Sequence, residues 1–192
     1  MVNEMSTFLN SFKSDVMFFT KYRQMINPFS GIETELNYKD FYFFLKCKSG
    51  RFSFLLRLAQ ASKYRKLRKP LYWLLNLIYS SDIDESASIS ESIYFPHPFG
   101  LVIGGEVSIA SECIIFNDVT FGKKYPGFKG KMPKISNKVL IGAGAKILGN
   151  VNVSSETVIG ANSVLLSDLP DNHTFSGNKI RPGVYWKRYN NL

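Results

Sequence analysis

The sequence predicts a mainly β protein: a parallel β-helix of short strands, preceded by an N-terminal α-helical region. Three observations carry that expectation. Aliphatic residues recur every six positions in the second half, small residues follow four positions after them, and the chain ahead of Ser81 shows apolar steps of three and four instead.

The six-residue period is sharpest in Ile135, Ile141, Ile147, Val153, Ile159 and Leu165. Val139, Ala145, Val151, Thr157 and Ser163 form the second, smaller series. The same double pattern runs through Ile103, Ile109, Ile115 and Phe121 with Val107, Cys113 and Val119, and earlier through Ile83 and Ile89 with Ala87 and Ile93. The register slips by two between these blocks. On an α-helix, six residues turn the chain through about 600°, which scatters successive hits roughly 120° apart. A coil of short strands with a corner every six residues keeps all of them facing one interior. Gly104, Gly142 and Gly160, each directly after an aliphatic position, are expected at tight corners.

In the first part, Phe54, Leu55, Leu58, Ala61, Leu71, Leu74, Leu75 and Ile78 predict an apolar helical stripe between Gly50 and Tyr79, with Pro70 dividing two helices or opening the second. Phe41, Phe44 and Leu45 mark another helix and residues 11–25 a fourth, punctuated by Asn27-Pro28 and Ser30-Gly31. The expected organisation is a helical region over 1–80, a β-helix over 81–170 with a loop at 122–134, and a C-terminal tail over 171–192.

The 192 residues hold 24 Lys+Arg and 15 Asp+Glu, a net charge of +9, with an apolar share of 45%. That composition excludes disorder and suits one modest domain. The charge is uneven: residues 1–80 contain 13 Lys/Arg against 5 Asp/Glu, and 17 of the 28 aromatics. Two cysteines, Cys47 and Cys113, make no disulfide framework, and with His97 and His173 alone beside them no metal site is expected. The N-terminus lacks a basic segment followed by an apolar run, and the stretch from Leu71 to Tyr79 is too short to span a bilayer, so a cytoplasmic location is expected, with membrane or glycan contact open to the basic helices.

Asp82-Ile83, His97 with Gly100-Leu101-Val102-Ile103-Gly104, Val119-Thr120-Phe121-Gly122, and residues 141–150 (IGAGAKILGN) resemble the left-handed parallel β-helix acyltransferases built on hexapeptide repeats, within their serine-acetyltransferase-like branch. The resemblance covers about Ser81 to Gly177 and implies the handedness. The placement of the N-terminal helices is similar to that in bacterial polysaccharide O-acetyltransferases. By this resemblance His97, in Phe95-Pro96-His97-Pro98-Phe99-Gly100, is the catalytic base, a role that suits an imidazole because it takes a proton near neutral pH. Asp82, 15 residues earlier, holds the place of the orienting carboxylate, expected one rung below His97. Asp84-Glu85 replaces the His-Pro of serine acetyltransferases, which makes Asp84 its local competitor.

The acceptor is where the chain departs from that branch. Serine acetyltransferases carry a second histidine directly before Pro-Lys-Ile; this chain reads Met132-Pro133-Lys134-Ile135. A thioether cannot pair with a carboxylate but can lie against a sugar ring. The expected acceptor is therefore a sugar hydroxyl of a bacterial surface polysaccharide or its precursor. Serine O-acetylation and amino-sugar N-acetylation are the alternatives, and a non-catalytic solenoid on a membrane or nucleic acid is the rival of another class. No nucleic-acid motif is present, so nucleic acid is not expected as a partner.

The 122–134 excursion holds Lys123, Lys124, Lys129, Lys131, Lys134, Tyr125 and Phe128. It suits the phosphates of coenzyme A or an acidic glycan, with Lys124 and Tyr125 as substrate contacts beside Met132. The resemblance further implies acetyl-CoA as co-substrate, a homotrimer with sites between subunits, Ala143 and Ala161 along the pantetheine arm, and Thr120 and Gly122 near the donor end. Lys179 and Arg181 are expected to reach the nucleotide phosphates. His173, after the last coil, is expected in a surface turn. Neither cysteine is expected as a nucleophile, which favours direct transfer.

Overall fold

The computed structural model describes residues 2–26, 38–125, 130–183 and 185–186. Among these residues four helices come first, α1 (Val2–Ile26), α2 (Tyr38–Lys46), α3 (Lys48–Ala61) and α4 (Arg65–Tyr79). In α1, Phe8, Phe12, Val16 and Phe19 recur at steps of three and four and are buried together with Phe44 of α2. Their rings meet Phe54 of α3 edge-on, Phe8 at 5.2 Å and Phe12 at 5.4 Å between centroids, the arrangement that the ring quadrupole favours. Gly50 lets α3 cross α2: a Cβ there would overlap the Phe44 carbonyl.

The buried face of α3 is not the predicted one. Phe52, Ser53, Leu56, Arg57 and Ala59 are buried, whereas Leu58 is exposed, as is Ile78 of α4. Counting apolar residues misplaced the stripe because Arg57 is buried as an ion: its guanidinium donates to both Asp15 carboxylate oxygens at 2.7 and 2.9 Å. Pro70 neither divides nor opens helices; it lies inside α4, in the second turn, close enough to the helix start that few backbone bonds are forfeited.

Among the described residues fifteen strands follow, almost all of them very short. They stack into three sheets. The first is β1 (Asp82–Ile83), β4 (Val102–Ile103), β7 (Thr120–Gly122), β10 (Lys146–Leu148) and β13 (Val164–Leu165). The second is β2 (Ser88–Ile89), β5 (Ser108–Ile109), β8 (Lys134–Ile135) and β11 (Asn152–Val153). The third is β3 (Ile93–Tyr94), β6 (Cys113–Ile115), β9 (Leu140–Ile141), β12 (Val158–Ile159), β14 (His173–Ser176) and β15 (Lys179–Pro182). All pairings are parallel except β14 with β15.

Both aliphatic and small series of the repeat point inward. Ile135, Ile141, Ile147, Val153, Ile159 and Leu165 are buried, as are Val139, Ala145, Val151, Thr157 and Ser163. Pairing gives the coil lengths: Val102 pairs with Thr120 and Lys146 with Val164, in each case three full hexads apart. Asp82 pairs with Val102, two positions beyond three hexads, and the extra two lie in the His97 segment. Thr120 pairs with Lys146, eight positions beyond three hexads, and the extra eight lie in the lysine-rich excursion. The two slips of register are thus the two places where chain leaves the solenoid.

Gly104, Gly142 and Gly160 keep an ordinary backbone, and the left-handed conformation falls two residues later, at Glu106, Gly144 and Asn162. Gly142 meets the crowding expected at a corner, because a Cβ there would stand 2.5 Å from the Ala161 backbone nitrogen. The segment expected as a tail contributes β14 and β15, and His173 opens β14 half-buried rather than sitting in a surface turn. Beyond them Trp186 is buried against Phe18 and Ile114, its Nε1 donating to the Thr157 carbonyl at 3.1 Å. Among the described residues no helix is long and apolar enough to cross a membrane.

Candidate active site

His97 stands on the corner between the third and first sheets, in the enlarged part of the first coil, and is exposed. Pro96 and Pro98 flank it, fixing their own φ and biasing His97, as a residue before proline, to extended backbone. The segment is anchored on both sides by buried aromatics. Phe95 is fully buried and meets Phe52 of α3 at 4.9 Å, Phe52 meets Tyr79 at 5.1 Å, and Tyr79 meets Phe99 at 5.5 Å. The imidazole itself has the Phe116 ring beside it, 6.4 Å between centroids, one rung up the same corner.

Asp82 does not lie directly below His97. Its partner in the next rung is Val102, because the first coil is longer than three hexads by two positions. It is exposed, and no hydrogen bond joins it to His97 among the described contacts. Their neighbours do touch: the Ser81 hydroxyl reaches the Pro98 carbonyl at 3.1 Å, so carboxylate and imidazole flank a direct contact between β1 and the His97 segment.

The same corner continues upward through Ala143, half-buried, and Ala161, exposed, on successive rungs joined by the bond from the Asn162 N–H to the Ala143 carbonyl (2.8 Å). His97, Ala143 and Ala161 therefore border one column, and small side chains leave its upper part open. Thr120 and Gly122 lie on β7 of the first sheet, with room at Gly122: a Cβ there would make only ordinary contacts. Lys179 and Arg181 are exposed on β15, at the edge of the third sheet.

Met132 lies elsewhere. It is buried, its methyl packed on Gly104, and it floors a cleft of about 850 Å³ at the corner between the first and second sheets. Asp84, Glu106, Lys123 and Lys131 line this cleft. Hydrogen bonds from the Ser86 hydroxyl (2.6 Å) and backbone N–H (2.8 Å) hold the Asp84 carboxyl below its ordinary range against a smaller opposing effect of burial. Asp84 is thereby committed to its own turn, not to His97. A smaller cleft of about 240 Å³ adjoins, lined by Lys124, Tyr125, Leu148 and Asn150, with the Lys124 ammonium 5.5 Å from the Tyr125 ring centre. Phe128 and Lys129 lie outside the described residues.

One chain thus brings His97, Asp82 and the alanine column to one border of the first sheet, and Met132, Lys124 and Tyr125 to the other. Sequence reasoning missed Ser49 and Ser81, which bond the segment around His97. Ser81 shares its inward column with a second hydroxyl, Ser163, so the residue pattern did not single it out. Among the described residues no cluster of three His, Cys, Asp or Glu side chains could hold a metal ion. Burial pushes the Cys113 thiol up to about 12, which keeps it a neutral interior group.

Coils of three hexads stacked in three sheets, parallel but for β15, with an exposed histidine on one corner, form a hexapeptide-repeat β-helix. No family model matches the chain. It is 38% identical over 129 residues to the serine acetyltransferase of Helicobacter pylori, spanning 65% of this chain and 75% of that one. It is 37% identical over 103 residues to that of Escherichia coli K12, spanning 54% of this chain and 38% of the other. A solved serine acetyltransferase in complex with CoA superposes with a TM-score of 0.74 at 26% identity, covering 92% of this chain and 70% of that chain. One in complex with cysteine gives 0.73, also at 26% identity, covering 93% and 71%. The chain belongs to the serine acetyltransferase family. It is accordingly a left-handed β-helix with a helical N-terminal region, and an acyltransferase.

Proposed function

We propose that the chain transfers acetyl from acetyl-CoA to a hydroxyl group, with His97 as general base and Asp82 as the carboxylate that orients it. The observation that carries this reading is the corner column, where the one exposed imidazole among the described residues stands below the open alanine positions Ala143 and Ala161. His97 takes the proton of the acceptor hydroxyl as it attacks the thioester carbonyl, and gives it to the thiolate that leaves as the C–S bond breaks, so the base is regenerated in one displacement. Ala143 and Ala161 let a pantetheine arm approach the backbone, with Thr120 and Gly122 toward the donor end and Lys179 and Arg181 toward the phosphates.

Placement of His97 and Met132 at opposite borders of one sheet supports sites shared between subunits of a homotrimer, each subunit offering one border to a neighbour. Serine is the acceptor that the relatives' names favour. The second reading, a polysaccharide sugar hydroxyl, rests on one observation: an apolar thioether, Met132, floors the cleft where a carboxylate-binding histidine is expected. The sequence-based expectation of a sugar thus becomes the alternative rather than the first reading.

The test is thiol release from acetyl-CoA with serine, free sugars and amino sugars offered in parallel. His97→Ala is expected to lower turnover by about 10² to 10⁴ while CoA binding and oligomeric state persist. Undiminished turnover in that variant refutes the assignment of the base, and release with sugars but not serine reverses the order of the acceptors.

A further inference from the structure

Both peptide carbonyls that bracket His97 are held by serine hydroxyls from outside its segment. Ser49, in the first turn of α3, donates to the Pro96 carbonyl at 3.1 Å. Ser81, the residue before β1, has its hydroxyl 3.1 Å from the Pro98 carbonyl and 3.2 Å from that of Tyr79, and accepts the Leu101 N–H at 3.2 Å. Ser81 is fully buried and Ser49 is 4% exposed. Neither is a routine interior residue. The column that begins with Ser81 continues on the next rungs as Leu101, Val119 and Ala145, all apolar, and ends with Ser163; all are buried. Of the two hydroxyls in the column, Ser163 accepts the Gly177 N–H, and Ser81 is the one in the rung enlarged around His97. Ser49 is placed by the close α2–α3 crossing at Gly50 and shares a further hydrogen bond with Tyr94 of β3, the strand leading into the histidine segment.

We propose that Ser49 and Ser81 are positioning residues that act through His97, a clamp fixing the Pro96-His97-Pro98 backbone so that the imidazole has one direction. The proposal rests on the reading of His97 as the base. An exposed imidazole on an enlarged loop has nothing in its own described side-chain contacts beyond the Phe116 ring to hold it. The clamp supplies that restraint from a helix on one side and from the first rung on the other. It also gives the helical region a part in the chemistry: α3 reaches the catalytic corner through the Ser49 hydroxyl as well as through the packing of Phe52 on Phe95. Misplacement of a reacting group by about 1 Å can cost on the order of 10²-fold in rate, which is the scale on which such a restraint acts.

The test measures kcat and KM for Ser49→Ala and Ser81→Ala beside His97→Ala and the two serine variants in the His97→Ala background. Each serine variant is expected to lose about tenfold in kcat with KM for acetyl-CoA and the melting temperature little changed. Ser81→Cys, which keeps the volume and a weak donor, is expected to recover part of the loss, and neither serine substitution is expected to lower the residual rate once His97 is gone. Full activity in both serine variants while His97→Ala is inactive overturns the clamp and leaves the base assignment standing. An active His97→Ala overturns both. Losses that persist on the His97→Ala background, or that parallel lost CoA binding, assign the serines a purely structural role and also overturn the proposal. If Ser81→Ala does not fold, Ser49→Ala decides alone.

Discussion

The helical region and the solenoid bury their polar groups in opposite ways. Within the coils, the interior is built of aliphatic columns, and the few buried hydroxyls are satisfied close by: Thr157 donates to the Ser154 carbonyl at 2.9 Å, and Ser163 accepts the Gly177 N–H at 3.0 Å. Each rung leans on its neighbours, so stability is spread along the stack. The helical region instead adds one buried charged network to its aromatic contacts with the coils. Arg57 binds Asp15 and donates to the carbonyls of Ile89 (3.0 Å) and Ser90 (2.7 Å), while Asp15 accepts the Ile93 N–H at 3.1 Å. Gln60 adds bonds to Arg57 and to Ile89. A repeat can distribute its cohesion because every rung presents the same surface. A helical bundle meeting the first coil has no such repetition, and beside its aromatic contacts it carries one specific charged lock.

The largest effect that would sharpen this contrast is at the lock. Asp15→Ala leaves Arg57 charged and unpaired in the interior and is expected to cost about 3 to 5 kcal/mol in chemical denaturation. Replacing Asp15 and Arg57 together by apolar residues of similar volume is expected to cost much less. A cost for Asp15→Ala within the range of an ordinary surface substitution would show that the helices are held by their aromatic cluster instead.

The two cysteines report the contrast in accessibility. Cys113 lies wholly inside the coils, its thiol pushed up to about 12 by burial, so it stays neutral and shielded at mildly alkaline pH. Cys47 is half-buried at the start of α3. A thiol reagent under those conditions is expected to modify one cysteine in the native protein, Cys47, and the second only after denaturation. Rapid native modification of Cys113 would mean that the rungs open readily.

The smallest expected effect is at Asp84, on a solvent-facing turn of the solenoid. Its carboxyl is held below the ordinary range by Ser86, so the ionised form favours the folded state. That contribution is present above the ordinary value of 3.8 and is lost as pH falls through and below it. Asp84→Asn is expected to lower the melting temperature slightly at neutral pH, with the difference vanishing in acid as the carboxyl protonates. A difference that grows on acidification would contradict the assigned direction.

Much of the fold was legible in the residue pattern because a six-residue period has one simple physical solution, and Ile135 to Leu165 all occupy the interior it implies. The helices were legible as helices, but the buried face of α3 was not, since hydropathy cannot anticipate that Arg57 enters the interior by pairing with a carboxylate 42 positions earlier. At the candidate site, His97 was legible from its interruption of the repeat and from resemblance to a family. Ser49 and Ser81 were not, because a serine carries no signal until the chain brings a carbonyl to it.

By itself, the sequence determined the repeat, its interior columns, the two places where the register slips and the concentration of charge and aromatics ahead of Ser81, all of which depend on local spacing along the chain. Only the tertiary structure decided that the first slip raises His97 onto a corner braced by α3 and β1, and that Met132 belongs to the opposite border of the same sheet. Those outcomes depend on contacts between residues far apart in sequence, where coil length and helix packing, rather than residue type, set which groups meet.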